Sequence, residues 1–227
     1  MTQNATIKTH LKTNGDFRNN EIINILKEAD IVVTNPPFSL LREYIKQLFD
    51  YEKKFLIVAN INLATCKDIF PLIKENKMWL GYKNGSQEFI VPQSYQKNNA
   101  YIVGGEKLAK FGNICWLSNL DIKKRHEPLI LSKTYNQKDY PKYDNYNAIE
   151  INKVANIPID YKGLMGVPIS FLYKYNPLQF KIIGADFELA QEIKLNNLVK
   201  KNPQRFYLNG KRLYARIIIQ RVFNDKF

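Results

Sequence analysis

Cysteine and histidine are scarce in this chain. Cys66 and Cys115 are the only thiols, and His10 and His126 the only imidazoles, among 227 residues. Two cysteines build no disulfide framework, and the four residues together give no zinc-ligand spacing, so the chain reads as metal-free and unstapled. Also missing is any apolar run approaching the roughly 20 residues that span a bilayer. The opening stretch MTQNATIKTH carries no apolar signal region. No membrane partner is expected, and the expected location is cytoplasmic. What is abundant is apolar and aromatic: 45% hydrophobic residues, with 14 Tyr and 13 Phe. That content sets aside a disordered chain and suffices for one core with a smaller second lobe.

Acidic residues are the minority charge, 21 against 34 Lys and Arg, for a net charge of +13. An isoelectric point near 9.5 favours phosphate backbones through counterion release. The cations cluster at Lys53-Lys54, Lys123-Lys124-Arg125, Lys200-Lys201 and Lys211-Arg212. A lysine-rich proteome produces the same surplus without any nucleic-acid partner, so charge alone leaves both readings open.

Residues Thr6 to Leu11 read as the tail of a strand, and Asn14-Gly15 as a turn. Asn19 or Asn20 can cap a short helix carrying Ile22, Ile23, Ile25 and Leu26. Asp30 to Thr34 is a β-branched run of the kind that fills a buried parallel strand. Ser39 is a reasonable N-cap for a helix marked by Leu40, Leu41, Tyr44, Ile45, Leu48 and Phe49. Lys54–Ala59 reads as the next buried strand and Asp68–Asn76 as the next helix. Lys77–Tyr82 and Asn113–Leu120 are further strands, separated by a polar loop region. This alternation implies an α/β fold, with ligands at the carboxyl ends of strands. Beyond Asp121 the pattern changes to a Tyr- and Asn-rich stretch, a strand FKIIG, a polar helix ELAQEIKLNNLVKK and a hairpin turning at Asn209-Gly210. The expected organisation is a first domain over 1–120 and a smaller mixed lobe over 121–227.

The stretch IVVTNPPFSLL poses the chemical question. Asn35 and Pro36 each precede a proline and are pushed into extended conformations. Neither Pro36 nor Pro37 has an N–H to enter a ladder. The Asn35 side chain and the Pro36 carbonyl are then held as two acceptors facing one point, which suits an amino group with two hydrogens to donate. An exocyclic base nitrogen is such a group, and Phe38 offers a flat face for an extruded base. The plain alternative is a turn, with Phe38 in the core.

The segment GDFRNNE…ADIVVTNPPFSL resembles motifs III and IV of amino-group methyltransferases that use S-adenosylmethionine. The segments FPLIKENKMWLG, WLSNLDIKKRHEPL, YPKYDNYNAIEI, MGVPISFLYKYNPLQF and NGKRLYARI extend the likeness to EcoRI-type adenine-specific DNA methyltransferases, over almost the whole chain. The resemblance implies a Rossmann-like methyltransferase sheet and methyl transfer to adenine N6 in double-stranded DNA. It implies that Asn35, Pro36, Pro37 and Phe38 form the catalytic loop. Asp16 would bond the cofactor's adenine amino group, with Phe17 against that ring; an ordinary Gly-Asp turn is the alternative. Phe89 either sandwiches the flipped base opposite Phe38 or belongs to the core. Lys123, Lys124, Arg125 and His126 contact phosphate or form a solvated turn, and the Tyr-rich 135–147 region serves target recognition or packs between lobes.

The family pattern also has a glycine-rich turn after a first strand and an acidic residue after a second. Only fifteen residues precede Asp16, whereas a βαβ unit takes roughly 30. Gly104-Gly105 and Gly163-x-x-Gly166 lie downstream in the wrong order. The expectation is therefore a partial Rossmann-like sheet: a truncated enzyme or half of a split one, served by a separately encoded cofactor-binding half. A non-catalytic DNA-binding remnant is the alternative.

Overall fold

The computed structural model describes residues 10–81, 86–195, 198–200 and 204–223. Most of the strand tail read at Thr6–Leu11, the end of the strand read at Lys77–Tyr82, and Lys201 lie outside the described residues. Helix α1 (Asn20–Glu28) leads into β1 (Ile31–Thr34), a 3-10 turn (Phe38–Leu40) and α2 (Leu41–Asp50). Next come β2 (Lys54–Asn60), α3 (Phe70–Lys74), β3 (Trp79–Leu80), β4 (Gln87–Ile90), β5 (Ala100–Val103), β6 (Glu106–Phe111) and β7 (Ile114–Ser118). The second half holds β8 (Ile149–Glu150), β9 (Met165–Pro168), β10 (Phe180–Ala185), the single-turn α4 (Asp186–Leu189), β11 (Ile193–Leu195) and β12 (Leu198–Lys200). It ends with β13 (Tyr207–Leu208), β14 (Lys211–Arg212) and β15 (Arg216–Arg221).

The first sheet has the order β1-β2-β7-β3. β1 and β2 are parallel, Ile31 opposite Lys54 and Thr34 opposite Ile57, and α2 makes the crossover. β7 runs antiparallel to both β2 and β3. β2 alternates as a strand between core and partial exposure should, with Phe55, Ile57 and Ala59 fully buried. β1 differs from the buried strand that its composition suggests. It lies at the sheet edge, and Ile31 and Val33 are 51% and 65% exposed. β-branched residues mark a strand here, but only neighbouring elements decide which faces are covered.

A second mixed sheet, β10-β15-β9-β8, builds the other half. Its inward side chains Met165, Val167, Phe180 and Ile219 join Phe55, Ile57, Phe70 and Leu117 in one continuous core. Three further sequence expectations fail. The stretch read as a polar loop forms a three-stranded antiparallel sheet, β4-β6-β5, turning at Gly104-Gly105. Both glycines have positive φ, which suits a tight hairpin turn. Its strands are short and leave Ile90, Ile102 and Val103 exposed, so no period-two burial signal stood out. The helix read in ELAQEIKLNNLVKK is only the one turn of α4, followed by the β11-β12 pair. Ser39 lies inside the 3-10 turn and does not cap α2, whose N-cap is Leu40.

One cation ties the halves together. The Arg125 guanidinium sits 3.8 Å above the Trp79 ring of β3 and donates to Asn76 Oδ1 at 2.9 Å. Burial lowers its pKa below the ordinary arginine value. Arg125→Ala is expected to cost about 1–3 kcal/mol, the sum of a shielded cation–π contact and one hydrogen bond. Lys123→Ala, at an exposed position, is expected to stay within about 0.5 kcal/mol. Urea unfolding of both variants checks this; equal stability of the two would remove Arg125 as a structural tie.

Candidate active site

The site begins where the β1 ladder stops. Strand alternation carries past Thr34: Asn35 is exposed and Pro36 is buried. Pro37 is extended, at φ −61° and ψ 123°. Its carbonyl accepts from the Leu40 N–H at 3.0 Å, which starts the 3-10 turn. Among the described residues neither the Asn35 side chain nor the Pro36 carbonyl has a hydrogen-bond partner. The double proline thus delivers two unused acceptors at the carboxyl end of a parallel strand, anchored by the buried Pro36 ring. Phe38 opens the 3-10 turn and is 45% exposed, so it is not core.

The Asp16-Phe17 turn docks on α2, the helix that follows this loop. Phe17 is buried and meets Tyr44 edge-on at 5.0 Å between centroids. Gln47 Nε2 donates to the Phe17 carbonyl at 3.0 Å, and Arg18 reaches Glu43 of α2 at 3.7 Å. Asp16 is held by Arg18. Oδ1 accepts from the Arg18 backbone N–H at 3.0 Å and from Nε at 2.9 Å, and Oδ2 accepts from Nη2 at 2.6 Å. These bonds bring the Asp16 pKa down to about 2. A depressed carboxylate keeps its pairing at all higher pH and loses it only as pH falls toward that value. Oδ2 takes one bond here and keeps acceptor capacity.

Between α1, β1 and α2 lies a cavity of about 200 Å³ lined by Phe17, Ile25, Leu26, Val32, Tyr44 and Gln47, among others. Gln47 Oε1 is buried and has no hydrogen-bond partner among the described residues. A buried orphan acceptor costs free energy unless something donates to it. An apolar cleft with one such acceptor fits a flat heterocycle bearing an amino group. Sequence reasoning missed Gln47, although a glutamine three residues after Tyr44, on the same helix face, was the available signal.

The remaining candidates stand apart from this cluster. Phe89 is on β4, 43% exposed, and packs edge-on against Phe111 at 5.7 Å. It too is not core, and no contact joins it to Phe38 among the described residues. Lys123, Lys124, Arg125 and His126 form a 3-10 turn after β7. Arg125 is committed to Trp79 and Asn76, and His126 Nε2 pairs with Asp121 Oδ1 at 2.7 Å. Lys123 is exposed and Lys124 half-buried. The described residues contain no group of three or more His, Cys, Asp and Glu that would hold a metal ion, and no helix long and apolar enough to cross a membrane.

Residues 2–222 match the family described as adenine-specific methyltransferase EcoRI. The chain is 49% identical over 213 residues to the Type II methyltransferase M.EcoRI of Escherichia coli, covering 91% of this chain and 62% of that protein. It is 40% identical over 231 residues to the Type II methyltransferase M.MgeORF184P of Mycoplasma genitalium, covering 96% and 73%. It is also 35% identical over 224 residues to the Type II methyltransferase M.MpnI of Mycoplasma pneumoniae, covering 92% and 70%. The chain therefore spans less than two thirds of the length of the first of these relatives. No solved structure matches it. A family match along nearly the whole chain, together with relatives 35–49% identical to it, makes this chain a member of the EcoRI adenine-specific methyltransferase family.

Proposed function

We propose that this chain carries the catalytic loop and the DNA-recognition part of a site-specific DNA adenine-N6 methyltransferase of the restriction-modification type. The observation that carries the reading is the pair of unpartnered acceptors, Asn35 and the Pro36 carbonyl, beside the exposed Phe38 face. An adenine amino nitrogen is a poor nucleophile because its lone pair is delocalised into the ring. Two acceptors that bind both of its hydrogens favour the state in which this nitrogen becomes tetrahedral and positive. They also align it toward its electrophile. Phe38 stacks on the extruded base, and Phe89 is the proposed second face. The loop needs no general base of its own.

S-adenosylmethionine, the methyl donor in this reading, supplies an electrophilic methyl. The chemistry of the α1-β1-α2 cavity fits its adenine. Phe17 lies along the ring, while Gln47 Oε1 and the spare capacity of Asp16 Oδ2 serve its amino group. The sheet β1-β2-β7-β3 is then part of a Rossmann-like methyltransferase sheet in a catalytic domain over 1–120. The lobe over 121–227, with Lys123 and Lys124 at its start beside the structurally engaged Arg125, serves double-stranded DNA in the cytoplasm. A separate cofactor-binding segment supported on β1 completes the reading. What supports it is the terminal place of β1 in its sheet among the described residues, with the Ile31 and Val33 side chains exposed on its face.

In an assembly that transfers methyl, Asn35→Ala is expected to lower turnover about 10²-fold or more, by analogy with loss of one oxyanion-hole donor. DNA affinity should stay close to the parent value. Transfer of labelled methyl to duplex DNA measures the first quantity and gel mobility the second; normal turnover would remove the loop from the chemistry.

A second expectation concerns the cofactor. In this reading the described residues reach only the adenine end of the cofactor. Two or three absent contacts to ribose and the methionine group, each about 1–3 kcal/mol when charge-assisted, weaken affinity on the order of 10²- to 10⁵-fold. Calorimetry on the 227-residue chain alone is expected to show no micromolar binding of S-adenosylmethionine. Micromolar binding accompanied by methyl transfer to DNA would sink the idea that a further segment is needed.

A further inference from the structure

We propose that the hairpin formed by β13 and β14, extended by Tyr214, is a base-reading ribbon that enters the DNA major groove, with Arg212 as its principal sequence-discriminating side chain. The inference rests on the DNA reading above and adds to it the element that distinguishes one sequence from another.

The hairpin is two residues per strand, Tyr207 opposite Arg212 and Leu208 opposite Lys211. It turns at Asn209-Gly210 with φ of 49° and 73°, as a type I′ turn requires. The turn is fixed from below. Asp144 accepts from the Asn209 N–H at 3.1 Å and the Gly210 N–H at 2.7 Å, while its own N–H donates to the Tyr207 carbonyl at 2.9 Å. Asn145, 4% exposed, accepts from the Tyr207 N–H at 2.9 Å and donates to the carbonyls of Gln191 and Arg205. Phe206 is fully buried and stacks on Tyr143 and Tyr146 at 4.6 and 5.2 Å. The Tyr-rich YDNY run at 143–146 is therefore the socket of this hairpin. Four residues in sequence spend their side chains or backbone on one small element.

Such an anchored element presents an unusual tip. Lys211 and Arg212 are exposed, and neither side chain has an ion pair or hydrogen bond among the described residues. Arg125, Arg205 and Arg216 contrast with them, being bonded to Asn76, Asp186 and Glu150. Tyr214 is 90% exposed. Two free cations and a bare aromatic on a rigid two-stranded ribbon match the major groove, which is about 12 Å wide and admits such a ribbon. A guanidinium reads guanine O6 and N7 through a bidentate pair, and the phosphates draw the same charge toward the groove. Rigidity matters because a base contact discriminates only if the donor is already placed.

The test selects bound sequences from random double-stranded DNA with the wild-type chain, Arg212→Ala, Arg212→Lys and Lys123→Ala. Both positions, Arg212 and Lys123, are exposed, so folding is retained. Wild type is expected to select a sequence containing a guanine. Arg212→Ala and Arg212→Lys should lose preference at one base pair by about 5- to 150-fold, the range for one bidentate pair. Arg212→Lys should keep its affinity for unrelated DNA, whereas Lys123→Ala should weaken binding to all sequences alike. Retained preference in both Arg212 variants, or wild-type binding without preference, overturns the ribbon and leaves the DNA reading standing. Absence of duplex binding by wild type at low salt overturns the DNA reading itself.

Discussion

The ladder between β1 and β2 ends because two successive residues have no N–H to give it. Everything proposed for the active site depends on that missing pair of donors. Pro36 buries its ring beneath the loop, Pro37 turns its carbonyl to Leu40, and the chain enters a 3-10 turn and then α2. What remains over is the Asn35 side chain and the Pro36 carbonyl, two acceptors without partners. The same helix that begins here carries Tyr44 and Gln47, and these receive the Asp16-Phe17 turn. One backbone constraint thus organises both the proposed base-receiving loop and the proposed cofactor cleft.

The second half reaches the first through a shared core and through Arg125. Its guanidinium on Trp79 joins the turn after β7 to β3, so the basic run KKR is not a uniform phosphate patch. Charge in this chain is divided between structural and free uses. Arg205 and Arg216 are spent on the buried carboxylates of Asp186 and Glu150, while Lys211 and Arg212 remain at the tip of a braced hairpin. A count of cations, however large, does not separate these uses; the partners do.

Much of the first sheet was legible in the sequence, and the reasons are physical. β2 is an unbroken apolar run from Phe55 to Ala59, α2 shows a helical apolar repeat, and Asn209-Gly210 is a turn with few alternatives. The edge position of β1 was not legible, because Ile-Val-Val-Thr reads alike whether one face or both are covered. The β4-β6-β5 sheet was hidden because its strands are short and its apolar side chains stay exposed. The polar helix expected after Asp186 has good helix formers, yet β11 and β12 pair there instead, tertiary context overriding propensity. At the site, the double proline was readable from local chemistry alone. Gln47 left only its place one helical turn from Tyr44 as a signal, and the commitment of Asp16 to Arg18 left none, since both depend on how a turn lies across a helix.

In the proposed function the Asn35-Pro36-Pro37-Phe38 loop receives an adenine taken out of the duplex. The direct measurement is fluorescence of 2-aminopurine placed, one position at a time, at each adenine of a selected duplex. The expected result is a change in emission at a single position on binding, lost in Phe38→Ala while the duplex stays bound. Bound duplex with unchanged emission at every position would contradict the account.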